Sequence, residues 1–426
     1  MSELSREDLK KLYHLYVKVM SMKILVINCG SSSLKYTVFA MPTGMVLCTG
    51  IFSQLESKAT ATVTHKKSDL DGNIIKLIDK APLKEEMSHT EAITELVKIL
   101  KAPGIGVLHD LSEIKAVGHR VLHAGEKFSE SVVVNEDVKT AIEECIPLGS
   151  LHNPANLNGI KAFEKLLPDV PQVAVFDTAF HQTMPQYAYM YALPYEYYEK
   201  HGIRKYGFHG TSHRFVSKRC IELLGNPEHS KIITCHLGNG SSISAIVDGK
   251  CYDTTMGLTP LEGIMMGTRC GSIDPAIVGV LMEKEKLTIE QVNEIMNKKS
   301  GMLGVTGKTS DNIEIEKLIA EGDEKATLVE QMVCHQLTKY IGSFAAAMGG
   351  VDAIVFTGGI GENNPKYREK VAEKLGFMGI TIDANKNSTR GEEIEFSTPD
   401  SKVKIFVIPT NEELMIAQDT FELLGE

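Results

Sequence analysis

The period of apolar and polar positions along this chain switches repeatedly between two and about 3.6. Short runs rich in β-branched and aliphatic residues at 23–28, 35–40, 115–122, 172–177, 231–236, 242–247, 353–357 and 403–408 predict strands. Between them lie helical patterns with recognisable ends. Ser88 is followed three residues on by Glu91, a capping box, and Thr288 by Gln291, another. A third pattern runs from Thr211 to a terminal Gly225, a long one covers about 325–348, and Asn364-Pro365 opens one more. Strands alternating with helices predict an α/β architecture. Ahead of all this, Leu9, Leu12, Tyr13, Tyr16 and Met20 stand at helical spacing, so residues 1–21 read as a helical appendage and the domain proper begins at Met22.

One stretch breaks the apolar pattern in a way that repeats. The strand run ending "VINCGSSSLKYTVF" turns through Gly30, Ser31 and Ser32 and becomes apolar again, and "CHLGNGSSISAIVDG" does the same at Gly240, Ser241 and Ser242, 210 positions later. Both copies read strand, Gly-Ser turn, strand. A Walker A or dinucleotide loop would open a helix instead. Glycine lets the backbone approach a ligand, and hydroxyls with free N–H groups suit phosphate oxygens. Lys35 beside the first tip and His236 beside the second strengthen the phosphate reading over plain turn chemistry. A third glycine loop, Gly358, Gly359 and Gly361, joins a strand to the Pro365 helix and suits a nucleotide at a helix start.

Composition narrows the partners. Lys and Arg total 45 against 55 Asp and Glu, a formal charge of −10, which argues against nucleic-acid or anionic-membrane surfaces. An anionic substrate must therefore meet a local basic cluster. The eight cysteines show no C-x-x-C pair or zinc spacing and read as buried reduced thiols, hence a cytoplasmic protein. No apolar run is long enough to span a membrane.

The segments "NCGSSSLK", "GHRVLHAGEKF", "LHNPANL", "FDTAFH", "YGFHGTSH", "HLGNGSS", "PLEGIMMGTRCGSIDP", "FTGGIGEN" and "PTNEEL" occur in the order found in acetate kinases, and from Met22 to the C-terminus the chain resembles that family. The resemblance implies two duplicated actin-like ATPase (ribonuclease H-like) domains with the active site in the cleft between them. The domains would be residues 22–179 plus 414–426, an acyl-kinase domain, and 180–413, a nucleotide-binding domain. It further implies reversible phosphoryl transfer from ATP to acetate, giving ADP and acetyl phosphate, with Mg²⁺ (or Mn²⁺) and a homodimer. By the same resemblance Arg120 clamps the carboxylate, Arg269 and His209 steady the transferred phosphoryl group, and His152 lies nearby. Asp177 orients either the metal shell or Arg120, while Asn28 and Glu412 hold the metal, leaving Glu413 to cap the last helix. Leu122, Leu151, Phe208 and Pro260 form the acyl pocket. Nucleotide contacts fall on Ser31, Ser33 and Lys35, on His236, Leu237, Gly238, Asn239 and Gly240, on Asp311, Asn312 and Ile313, and on Gly359, Ile360, Gly361, Glu362 and Asn363. His209 and His213, four apart, are not read as a metal pair, since hard Mg²⁺ prefers oxygen.

Two features set this chain apart from the family pattern. Ile313 stands where the family usually offers an arginine to the adenine, so base selectivity is expected to be loose. Leu122 stands where many members have valine, and a fuller pocket favours a two-carbon acid. The alternatives are a propionate or butyrate kinase and, in another class, an actin-like or chaperone ATPase.

Overall fold

The computed structural model describes residues 21–69, 73–149 and 152–425. The helix expected in 1–21 and the pocket residue Leu151 lie outside the described residues. The chain forms two compact units, one holding the chain up to Ala179 and again from Asn411, the other Phe180–Thr410. The return falls at Asn411, three residues before the expected boundary, because Asn411 itself caps the last helix, Glu412–Leu424: its side chain accepts from the N–H of Leu414. Capping thus rests on Asn411 and not on Glu413.

In the first unit eight strands form one sheet: β1 (Met22–Cys29), β2 (Ser33–Met41), β3 (Met45–Ser53), β4 (Thr60–Ser68), β5 (Ile74–Glu85), β6 (Ile114–Val121), β7 (Val132–Val133) and β8 (Gln172–Phe176), in the order β5-β4-β3-β2-β1-β6-β8-β7. Strands β1 to β5 are an antiparallel meander, and β6 and β8 add to β1 in parallel. The second unit has β9 (Lys231–Leu237), β10 (Ser241–Val247), β11 (Lys250–Thr254), β12 (Ala353–Thr357), β13 (Ile394–Glu395) and β14 (Lys404–Val407), in the order β11-β10-β9-β12-β14-β13. Here three antiparallel strands, β9 to β11, match β1 to β3 of the first unit, and β12 and β14 follow in parallel on the far side of β9 as β6 and β8 do beyond β1. The internal repeat in the sequence therefore has a structural counterpart, with the two Gly-Ser tips as the β1–β2 and β9–β10 turns.

Burial explains which strands carry apolar runs. Strands β1, β8, β9 and β12 are covered on both faces and are almost wholly buried. The last helix lays Ile416 and Ala417 on Ile24, Val26 and Ala116, and it comes so close that a side chain on Gly118 would collide with Ile416 and Thr420. That contact fixes Glu412, at the start of the helix, beside the C-terminal ends of β1 and β6. The glycine turn expected after β12 is itself a helical turn, Gly358–Asn363, leading into the helix Pro365–Lys374. All eight cysteines are free and only Cys270 is not buried, and among the described residues no helix is long and apolar enough to cross a membrane.

Candidate active site

In open α/β sheets, ligands gather at the C-terminal ends of parallel strands, and the polar residues of the first unit collect there. Arg120, one residue from the end of β6, donates from Nε and Nη2 to the two carboxylate oxygens of Asp177, at 3.1 and 2.6 Å, and from Nη1 to Oδ1 of Asn28 at 3.2 Å. Glu412 lies 4.0 Å from Nε. Asp177 is 1% exposed and Arg120 has a side-chain exposure of 18%, so the pair is held largely out of water while the Arg120 side chain stays partly accessible. Both oxygens of Asp177, expected to orient either the metal shell or Arg120, accept from Arg120. The surrounding carboxylates Asp177, Glu412 and Glu413 raise the Arg120 pKa above its ordinary value, against the opposing effect of burial. Burial pushes the Glu412 carboxyl up to about 7, and Asp177 and Glu413 add to the push while Arg120 and Lys35 oppose it.

Asn28 pairs across the β1–β2 ladder with Lys35, which is exposed, and the tip is closed by the Gly30 N–H donating to the carbonyl of Ser33. One tie was not anticipated. Asn156, on the helix Asn153–Leu166, donates to the carbonyl of Cys29 and accepts from the N–H of Leu122, bracing the hairpin tip against the end of β6. His152 stands at the head of that helix, at its N-cap without capping through its side chain.

The second unit builds a separate group around the β9–β10 tip. His209 precedes the helix Gly210–Leu223 with φ of 57°, a left-handed conformation uncommon for a non-glycine residue. Its ring stacks on His236 at 4.3 Å between centroids. A Cβ on Gly240 would stand 3.4 Å from both His209 Nε2 and Arg269 Nη1, so imidazole and guanidinium converge on that glycine. The Arg269 loop docks onto the tip through Gly267, whose N–H donates to the Asn239 carbonyl and whose missing side chain would overlap Asn239. Arg269 donates to the Pro260 carbonyl at 3.1 Å and approaches Met266 Sδ; among the described residues no carboxylate pairs with it, and burial lowers its pKa. A half-buried guanidinium without a counter-ion is an anion site in waiting. Phe208 is buried, its carbonyl 2.9 Å from His181 Nε2. The histidines four apart, His209 and His213, share the hydroxyl of Ser242.

Beside the tip opens a cavity of about 550 Å³, within the range of nucleoside-sized sites. Of the residues expected to hold nucleotide, Gly238, Asn239, Asp311, Asn312, Ile313, Gly359, Ile360 and Asn363 line it, joined by Ser310, Glu316 and Arg390. Two expected side chains are turned elsewhere. Leu237 is buried in the core, and the Glu362 carboxylate accepts from the N–H groups of Gly358 and Thr410, tying the glycine turn together. Asp311 spends one oxygen capping its own helix through Ile313 and Glu314.

The model of the acetokinase family matches residues 23–418. The chain belongs to the acetokinase family. Acetate kinase from Carboxydothermus hydrogenoformans is 54% identical over 409 residues, covering 95% of this chain and 99% of its own. The crystal structure of Porphyromonas gingivalis acetate kinase superimposes with a TM-score of 0.87 at 50% identity, covering 95% of this chain and 100% of that one. A propionate kinase structure from Francisella tularensis gives 0.86 at 42% identity over 94% of this chain and 100% of its own. The two-sheet α/β fold is the actin-like ATPase fold of this family.

Within the family frame, Ile313 is 66% exposed on the rim of the cavity, and Arg390, which sequence reasoning passed over, brings a guanidinium to the same cavity, held by the Asn363 carbonyl and 4.0 Å from Glu316. With Ile313 offering only dispersion contact, GTP should support an appreciable fraction of the ATP rate. Strict ATP use in a panel of triphosphates would assign base reading to Arg390 and its neighbours instead. Leu122, 5% exposed at the end of β6 two residues beyond Arg120, lends itself to a volume test. Leu122→Ala should raise the propionate-to-acetate ratio of kcat/KM about tenfold or more, the scale of one methylene in a fitted pocket. An unchanged ratio removes Leu122 from the acyl pocket.

Proposed function

We propose that this chain is an acetate kinase, transferring the γ-phosphoryl group of ATP to acetate directly and reversibly, with ADP and acetyl phosphate as products. The observation that carries the reading is the Arg120 cluster: an oriented, partly open guanidinium at strand ends, in a chain that matches acetate kinases over 95% of its length. Arg120, held by Asp177, binds the acetate carboxylate, with Leu122, Leu151, Phe208 and Pro260 around its methyl group. Arg269 and His209 donate to the oxygens of the moving phosphoryl group, with His152 nearby. Both partners are anions and the transition state is loose, so the protein's task is positioning and charge stabilisation, and no base is needed because a carboxylate nucleophile has no proton to lose. The adenosine part belongs to the cavity lined by Asn312, Ile313, Gly359 and Asn363, and the phosphates to the Gly238–Gly240 tip with Ser31, Ser33 and Lys35.

The donors around Glu412 fit a hard divalent cation. Three carboxylates share one guanidinium and one lysine, and Glu412 is pushed up to about 7 by burial, with Asp177 and Glu413 adding to the push against the pull of Arg120 and Lys35. Among the described residues no three His, Cys, Asp or Glu side chains form a cage. Mg²⁺ needs none, since it keeps waters and phosphate oxygens and takes one or two protein ligands. Asn28 and Glu412 would hold it, or Mn²⁺, and it would neutralise charge on the nucleotide phosphates. Glu412→Gln should raise the Mg²⁺ concentration for half-maximal rate tenfold or more. Its melting temperature should hold or rise, because removing a buried repelled carboxylate offsets the roughly 0.3–1 kcal/mol of its helix-start position. A lower melting point with unchanged Mg²⁺ dependence would make Glu412 a structural residue only.

Hydroxylamine trapping tests the whole reading: acetyl phosphate yields a hydroxamate, whereas a chaperone-type ATPase releases phosphate alone. Run on two-, three- and four-carbon acids, the assay should favour acetate, and preference for propionate or butyrate would move the protein to the corresponding kinase. We place the protein in the cytoplasm and propose a homodimer. The helix Ala276–Glu285 supports the dimer: it buries none of its residues and exposes Ile277, Val280 and Met282.

A further inference from the structure

Strand β9 and strand β10 carry polar residues where a covered sheet face should be apolar. Thr234 and His236 alternate along β9, Ser242 and Ser244 along β10, all on the face that meets the helix Gly210–Leu223. Thr234, Ser242 and His213 are each 0% exposed. His213 Nδ1 lies 2.7 Å from Thr234 Oγ1, and its Nε2 lies 2.7 Å from Ser242 Oγ. The same Ser242 oxygen is 2.9 Å from His209 Nδ1.

The direction of each bond follows from counting hydrogens. Burial, with His181 and His236 nearby, holds the His213 pKa well below its ordinary value, so its ring is neutral and carries one N–H. The Ser242 hydroxyl has one hydrogen and two imidazole nitrogens to serve. If it donates to His213, then His213 must donate to Thr234, and the Thr234 hydrogen, sealed from water, has no acceptor among the described residues. If it donates to His209, then His213 Nε2–H donates to Ser242 and His213 Nδ1 receives the Thr234 hydrogen. Every buried donor is then used, and burying a hydroxyl unpaired carries its full desolvation penalty.

We propose that Thr234, His213 and Ser242 form a directed hydrogen-bond relay that fixes His209 as the neutral tautomer protonated on Nε2, the nitrogen turned toward Gly240 and Arg269. Protonating Nδ1 of His209 would reverse the relay and strand the Thr234 hydrogen. The groups facing the ring work the same way: His236 stacked on it, Arg269 across Gly240, and His213 with His181 behind Ser242 offer positive or neutral charge. His209 is thereby kept a hydrogen-bond donor across the physiological range and is withheld from acting as a proton donor that exhausts itself as pH rises. The relay residues are positioning residues, and their role in turnover rests on the kinase reading.

Nitrogen-15 spectra of the histidine rings in the whole protein, with the His209 signal assigned by its loss in His209→Gln, read the tautomer without any assay of activity. The expected result is a pyridine-type Nδ1 and a protonated Nε2 from pH 6 to 8. A protonated Nδ1, or titration near 6.5, overturns the relay. In Ser242→Ala and Thr234→Val, His209 should lose its fixed tautomer and show a protonated Nδ1 in part of the population, and kcat should fall about tenfold with the KM values little changed, the worth of one hydrogen bond. Thr234→Ser, which keeps the hydroxyl, should restore both. Unchanged tautomer and kcat in Thr234→Val would also overturn the proposal. Failure of the wild-type protein to form hydroxamate, with the tautomer as expected, would instead count against the kinase reading alone.

Discussion

Arg269→Ala is expected to lower kcat by about 10³-fold, the range seen when a donor to transition-state charge is removed. Stability should change by no more than about 1 kcal/mol. The reason for that split is the company the side chain keeps: a carbonyl oxygen at Pro260, the sulfur of Met266 and no carboxylate among the described residues. Burial without a counter-ion already works against the guanidinium, as its lowered pKa shows. Removing it strands no opposite charge and leaves only a packing deficit. Single-turnover phosphoryl transfer beside a melting curve checks both halves. A variant with near-normal turnover would falsify the role given to Arg269, and a large loss of melting temperature would mean that the residue holds the loop on the β9–β10 tip.

How far the sequence carried depended on whether a local pattern existed to be read. The capping boxes at Ser88 and Thr288 and the Asn364-Pro365 start appear in the structure as written, because a cap is a contact between residues three apart. The doubled Gly-Ser tip was legible for a similar reason, since a turn and its flanking strands are contiguous. Strands β3 to β5 were not. Strand β5 is an edge strand whose Ile74, Ile75 and Leu77 are exposed among lysines and acids, so its run has no buried face to impose alternation. The helical turn Gly358–Asn363 is invisible to propensity, because glycine is a poor helix former and the turn is held by Glu362 and by the close approach of Leu237. Arg390 and Asn156 were missed because each acts across many residues of sequence. The polar alternation of Thr234 and His236 against Ser242 and Ser244 lies inside runs read as strands of a covered sheet, where polar side chains carry no local pattern of their own.

Arg120→Ala should behave unlike the Arg269 variant, and the contrast separates the two arginines. Here the guanidinium is the partner of a carboxylate that is 1% exposed, with Glu412 4.0 Å away and Glu413 adding to the same negative field. Deleting it orphans Asp177, and breaking a buried pair from one side costs about 3–5 kcal/mol. The acetate KM should rise about 10-fold to 100-fold as well, the worth of a charged hydrogen-bonded contact. The stability deficit should shrink as pH falls. An orphaned buried carboxyl has its folded pKa raised above the unfolded value, so the folded state takes up its proton first and regains ground below that point. Asp177→Asn in the Arg120→Ala background removes the orphaned charge, and it should return much of the lost stability while leaving acetate binding impaired. Recovery of acetate KM together with stability would show that Arg120 serves acetate only by keeping the strand ends folded. Recovery of stability alone places the guanidinium on the substrate carboxylate, with Asp177 as the group that aims it.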